Sequence, residues 1–396
     1  MATYYVDPGN TNVTTWVANT VYTSGDYVCP TDLATADAKS VYECTTGGTS
    51  HASTEPTWDE IVGNTTADGT VTWTARAPDS WDEALLSWQP AADLAVAGDI
   101  VYLRGQQNVT AQIDFDTNGG TAANGYIRYI GCNASGNVDG TQFVVDGGDN
   151  ACHGGYINDK DALWFENITF QNCGNSTSYD GFSSQNTACY NVMFVNCRFN
   201  SNAGDGCYVD YPRAEFHHCS FNANGGVGVQ TSGELGRFIG CEAIGNASHG
   251  IVVYHNTTLF GCVIHGNAYE GFKATTGVCA INCVFDSNRR GIEINSGWFT
   301  SSTTVIGCRI TNHSTYQGIN MVGTSRCNIS HTYFGNNATN VTSDRYIVVP
   351  IGDGTVAHAV FGGTETDHGY VSPSTDDFNL DTTKAAATRS YAVTVP

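Results

Sequence analysis

Between residues 205 and 320 the chain carries chemically useful side chains at nearly regular intervals. They are Asp205, Tyr208 and Asp210; Gln230; His249, Tyr254 and His255; Glu270 and Lys273; Arg290, Glu293 and Asn295; and Gln317 with Asn320. Two chemistries fit such a set. Asp205 and Asp210, with Arg213 nearby, form a candidate catalytic pair, because like charges held together raise one pKa and let one member act as acid. Glu270, Lys273, Arg290 and Glu293 could instead neutralise a uronate carboxylate while one basic residue removes a proton, as β-elimination requires. The plain alternative is a pair of solvated ion pairs, Glu270 with Lys273 and Arg290 with Glu293, on a sheet face. Tyr208, His249, Tyr254 and Asn295 are the candidate sugar-binding groups of the same stripe. The histidines show no metal-ligand spacing on one element, and no nucleotide loop, nucleophile elbow or zinc motif occurs. No cofactor is expected, and no motif indicates calcium.

What must position these residues is a repeat. Cys197, Cys219, Cys241, Cys262, Cys283 and Cys308 are 22, 22, 21, 21 and 25 residues apart. Around them stretches such as Phe-Val-Asn-Cys-Arg-Phe and Leu-Phe-Gly-Cys-Val-Ile alternate apolar with polar or small residues, which reads as a strand with one buried face. Ile168 takes the cysteine's place one coil earlier and His331 one coil later. Five residues on, asparagine recurs at 202, 224, 246, 267, 288 and 336. Its amide suits a tight turn and can bond to a stacked neighbour. A glycine then opens a second alternating strand at 206, 226, 250, 271, 291 and 318. Strand, asparagine turn, strand and variable return loop make one rung of a solenoid of about eight or more coils. Residues following each glycine at odd offsets point inward, and those at even offsets form an outward stripe with a rung spacing of about 4.8 Å.

Composition agrees. The chain of 396 residues has 45 Gly but only 3 Met, and few Leu, Lys or Glu, so strands and turns dominate. A formal net charge of -22 with four lysines repels phosphate backbones and excludes nucleic acid as a partner. Neutral or weakly charged glycans fit better than strongly anionic ones, unless calcium or a local basic patch overrides the repulsion. No 18-residue apolar run occurs, so no membrane insertion is expected. The opening Met-Ala-Thr-Tyr-Tyr-Val-Asp-Pro lacks a basic region followed by an apolar stretch, so no export signal is expected. An odd count of 15 cysteines then points to mostly buried thiols, although Cys29 and Cys44 could pair.

Residues 11–78 have a different texture, rich in aromatics. The runs Tyr22-Thr-Ser-Gly-Asp-Tyr-Val, Glu55-Pro-Thr-Trp and Asp68-Gly-Thr-Val-Thr-Trp resemble small β-modules akin to family 5/12 chitin-binding modules, which recur in phage tail proteins. That resemblance implies a carbohydrate-binding role for Trp16, Tyr22, Tyr42, Trp58 and Trp73, whereas so small a module also needs aromatics as its core. The stretch from Trp81 to Asp93 has helical spacing and should cap the open end of the solenoid.

The coil pattern, with Tyr4-Tyr5-Val6-Asp7-Pro8 and Ala97-Gly-Asp-Ile-Val-Tyr-Leu-Arg104, resembles the right-handed parallel β-helix of the pectate-lyase-like superfamily. The expected domains are a first strand in 1–10, an inserted module in 11–78, the β-helix with its capping helix in 79–343, and a final coil with C-terminal cap in 344–396, including the run Tyr391 to Val395. The resemblance implies a virion protein of tailspike or tail-fibre type, a homotrimer that binds a polysaccharide or cell-surface glycan. The alternatives are a polysaccharide lyase or glycoside hydrolase, and an extracellular bacterial adhesin or scaffold.

Overall fold

The computed structural model describes residues 1–396 except 34–38, 122, 185–189, 211–212, 235, 297–301, 324–325, 344–345, 349–358, 361–369, 373–376 and 381–396. The run Tyr391 to Val395 lies outside the described residues. The fold is a parallel β-solenoid of about nine turns, and it divides into two compact units: residues 1–175 with 181–198, and residues 176–180 with 199–396.

Each coil contributes three strands rather than the two expected. In the second unit the first sheet is built from Ala214–His217, Arg237–Ile239, Thr257–Phe260, Val278–Ile281, Ser302–Ile306 and Arg326–Ser330, paired in parallel. The second holds Ser220–Asn222, Glu242–Ile244, Val263–His265, Val284–Asp286, Arg309–Thr311 and Tyr333–Gly335. The third holds Cys207–Val209, Val229–Glu234, Ile251–His255, Glu270–Ala274, Arg290–Ser296, Gln317–Gly323 and Thr339–Ser343. The segment around each cysteine is thus two short strands. Between them the residue before the cysteine turns the chain with positive φ: His218, Gly240, Gly261, Asn282 and Gly307. Asn and Gly accept this conformation most readily.

The cysteines stack as a buried column whose thiols donate to main-chain carbonyls, Cys241 to Phe216 at 3.2 Å, Cys262 to Phe238 at 3.5 Å, Cys283 to Ile281 at 3.2 Å and Cys308 to Ala280 at 3.5 Å. The neighbouring thiol and burial push Cys262 and Cys283 up to about 12, which keeps them protonated and inert. Phenylalanines stack beside them, Phe216 on Phe238 at 4.9 Å and Phe199 on Phe221 at 5.2 Å. One coil beyond Cys308 the column is continued by Thr332, whose Oγ1 accepts the Cys308 N–H at 3.4 Å. His331 is instead the left-handed corner, at φ 51°.

The asparagines form a second column, buried inside the turn between the second and third sheets. Each of Asn224, Asn246 and Asn267 donates through Nδ2 to the side-chain oxygen of the next, at 2.8–2.9 Å, and to a carbonyl of the coil before, at 2.9–3.0 Å. The left-handed residue of this turn is the one preceding the asparagine: Ser201, Ala223, Gly245, Gly266, Ser287. After Asn288 the column passes to His313 and then Asn337, not Asn336. The glycines of the next column align as 206, 228, 250, 271 and 291, placing Gly228 rather than Gly226 in register. A Cβ on Gly250 would sit 2.5 Å from the Gly271 carbonyl oxygen, so the coil closes there only without a side chain.

In the first unit Thr3–Val6 pairs in parallel with Ile100–Arg104, which in turn pairs with Ile127–Cys132. The helix spans Trp88–Leu94 only. Its Trp88 packs against Phe115, Tyr129, Phe143, Phe165 and Phe170 and so fills the core of the first coils. Residues 81–87 are held by bridges and side-chain bonds instead, because Leu85 pairs its backbone with Tyr5 and Asp7.

Between Val13 and Arg76 lies a separate five-stranded sheet in the order Val13–Thr15, Tyr27–Cys29, Val41–Thr46, Val71–Arg76, Thr65–Asp68. Trp16, Tyr22, Tyr42, Trp58 and Trp73 are all in its core. Tyr42 lies 4.2 Å from Trp58, and the indole N–H groups of Trp16 and Trp73 both donate to Asp68 Oδ2. These five rings therefore serve as the packing of a small sheet, with no face left for a sugar. Cys29 and Cys44 carry no disulfide, and burial pushes the Cys29 thiol up to about 11.

Candidate functional site

The stripe expected from the sequence is the outer face of the third sheet in the second unit. Pairing puts Tyr208, Gln230, Val252, Lys273, Glu293 and Asn320 in one row across the coils. A parallel row runs one residue ahead of the glycines: Asp205, Val227, His249, Glu270, Arg290 and Gln317.

In the second row the side chains interlock. Glu270 is 3% exposed, yet it receives His249 Nε2 at 2.8 Å and Arg290 Nη1 at 2.6 Å on its two oxygens. Arg290 also meets Glu293 at 2.9 Å and donates through Nε to Gln317 at 3.0 Å. Asn320 donates to Glu293 at 3.3 Å. Burial alone would raise the Glu270 carboxyl, but the His249 and Arg290 bonds outweigh it and bring it down to about 2. The expected pairing of Glu270 with Lys273 does not form. Arg290 lies one coil on in the same row and presents a planar fork, so it takes both carboxylates. Among the described residues Lys273 makes no ion pair.

The first acids form a second centre. Asp205 accepts the Val227 N–H at 2.7 Å, and its own N–H donates to Asp180 at 2.9 Å. Burial raises the Asp205 carboxyl above its ordinary range, against the opposing pull of the Val227 bond and His249. Tyr208 is raised by burial and then by the charges of Asp210, Tyr254, Asp180 and Asp205. Arg213 is exposed in a left-handed conformation at the start of the first sheet. Tyr254 is 40% exposed and Asn295 is exposed, while His255 bonds Thr276 at 2.8 Å.

Sequence reasoning missed Asp180, Ser248, Tyr269, Arg289 and Tyr316. Tyr269 stacks on His249 at 5.4 Å, and the Arg289 guanidinium lies over the Tyr269 and Tyr316 rings. A signal existed: Asp180-Gly181 repeats Asp205-Gly206 at 25 residues, and Ser248, Tyr269, Arg289 and Tyr316 each stand two residues before a column glycine.

No protein-family model matches the chain and no curated protein resembles it in sequence. Solved structures do match. An alginate lyase from Paenibacillus sp. str. FPU-7 superposes with a TM-score of 0.50 at 14% identity, over 64% of this chain and 93% of that one. What is shared is the parallel β-solenoid fold. The pectate lyase Pel9A matches with TM-score 0.49 and 15% identity over 77% of this chain and 86% of its own. The enzymatically active domain of tailspike protein 2 of bacteriophage CBA120 matches with 0.47 and 12% over 81% of this chain, which spans 55% of that domain. At such identities the likeness is one of fold. The chemistry of this β-helix rests on its own residues. Among the described residues no cluster of His, Cys, Asp or Glu could hold a metal ion, and no helix is long and apolar enough to cross a membrane.

Proposed function

We propose that the outer face of the third sheet binds a polysaccharide laid across the coils, and that Asp205 cleaves it by glycoside hydrolysis. One observation carries the reading: Asp205 accepts the Val227 N–H at 2.7 Å, its own N–H donates to the Asp180 carboxylate at 2.9 Å, and burial raises its carboxyl above the ordinary range. A carboxyl with raised pKa suits the acid of glycosidic cleavage, and a neighbouring carboxylate would serve as its base. Exposed Tyr254 offers a ring face for a sugar further along. The β-elimination reading is weaker, because the Arg290 charge is already taken by Glu270 and Glu293 and has little left for a uronate. In keeping with the module-like residues 11–78, the chain is proposed as a homotrimeric, tailspike-type virion protein.

A panel of neutral and acidic polysaccharides, followed by gel retardation, reducing ends and the ultraviolet absorbance of unsaturated uronates, tests this. Asp205→Asn should lower reducing-end release by about 100-fold or more while retardation persists. Failure to retard any glycan would sink the binding reading, and unsaturated products would replace hydrolysis by elimination. Light scattering on the purified chain should return three times the 42.2 kDa chain mass. A monomer would remove the tailspike assignment.

A further inference from the structure

Ser248 stands next to His249 on the turn that leads into the third sheet, two coils beyond Asp205. The His249 ring is bonded at both nitrogens. Nε2 meets Glu270 Oε2 at 2.8 Å, and Nδ1 meets Ser248 Oγ at 2.9 Å. A carboxylate only accepts, so Nε2 must carry the proton. In the neutral ring that leaves Nδ1 as the acceptor and makes the Ser248 hydroxyl the donor. Glu270 cannot turn away, because Arg290 holds its other oxygen at 2.6 Å and Tyr269 stacks on the imidazole. The His249 backbone N–H, which directly follows Ser248, has no acceptor among the described residues, whereas the equivalent N–H of Val227 one coil earlier is taken by Asp205. A backbone N–H one residue after a nucleophile is a well-placed donor to an oxyanion.

We propose that Ser248, His249 and Glu270 form an acyl-transfer relay that removes O-acyl groups, such as acetyl esters, from a glycan on this face. Ser248 Oγ bonds to the ester carbonyl carbon as its proton passes to His249 Nδ1. The oxyanion is met by the His249 N–H. The bond from carbonyl carbon to sugar oxygen then breaks, and that oxygen takes the proton from Nδ1. Water, deprotonated by His249, attacks the acyl-serine, releasing the carboxylic acid and restoring the hydroxyl. Glu270 and Arg290 act as positioning residues that hold the tautomer. The glycan as substrate rests on the binding reading above; the relay itself does not.

The test uses the full chain with a fluorophosphonate probe and, separately, p-nitrophenyl acetate. The probe should add one adduct, located on the peptide containing Ser248, and Ser248→Ala should abolish it and lower ester hydrolysis by about 100-fold. Glu270→Gln should leave the adduct site in place but slow labelling and alter its pH profile. No adduct on a folded wild-type chain, or ester hydrolysis by Ser248→Ala at the wild-type rate, overturns the relay. Gel retardation with glycans, run in parallel, separates the two readings: retardation without labelling removes only the relay, and labelling without retardation removes only the glycan.

Discussion

Asn246→Ala should destabilise the protein by about 4 kcal/mol, measured as a shift in the urea midpoint of unfolding. The side chain is 1% exposed and makes four bonds. Its Nδ2 donates to Asn267 Oδ1 at 2.8 Å and to the Phe221 carbonyl at 2.9 Å, while its Oδ1 accepts the Asn224 backbone N–H at 3.0 Å and Asn224 Nδ2 at 2.9 Å. Alanine supplies none of these, and the Asn224 N–H is left buried away from water. Each orphaned buried group costs about 1–3 kcal/mol, and a cavity adds to that. Asn295→Ala, at an exposed position of the outer face, should change the midpoint by less than about 0.5 kcal/mol. Equal effects at the two sites would mean that the amide column does not hold the coils together.

The second large effect is acid sensitivity centred on Glu270. Its folded pKa of about 2 lies below the ordinary 4.5, so the unfolded chain binds the proton more readily. The resulting stabilisation is fully present above about pH 4.5 and is lost as pH falls towards 2. A displacement of this size corresponds to about 3 kcal/mol. Glu270→Gln should therefore be less stable than wild type at neutral pH, because Arg290 keeps a half-buried charge with one carboxylate fewer. The gap should narrow by about 3 kcal/mol on acidification to pH 2. Asp286, held near 2 by Thr311, Ser287, Asn312 and His265 against the opposing effect of burial, titrates in the same window in both proteins and cancels in the comparison. A gap that stays constant with pH would show that the Glu270 ion pairs add nothing to stability.

Much of this was legible in the residues. The periodicity of cysteine, asparagine and glycine identifies a solenoid, because only stacked coils keep one register over so many repeats. It also placed Asp205, His249, Glu270, Arg290 and Glu293 on a common outer face. Less was legible where one residue serves two geometric roles. The strand around each cysteine reads as continuous by polarity alone, and only the left-handed residue before it reveals the break into two sheets. The same shift moves the last column positions from His331 to Thr332 and from Asn336 to Asn337. The aromatics of residues 13–76 suit either a sugar platform or a core, and packing decided for the core.

Sequence by itself determined the coil, its period and which side chains face outward, since these follow from strand alternation and repeat spacing. Only the tertiary structure decided which outward groups bond to which. Neighbours across coils come from return loops whose lengths vary, and a buried carboxylate pairs with whichever cation reaches it in good geometry. Glu270 thus took Arg290 and His249 rather than Lys273, and His249 thereby turned its other nitrogen to Ser248.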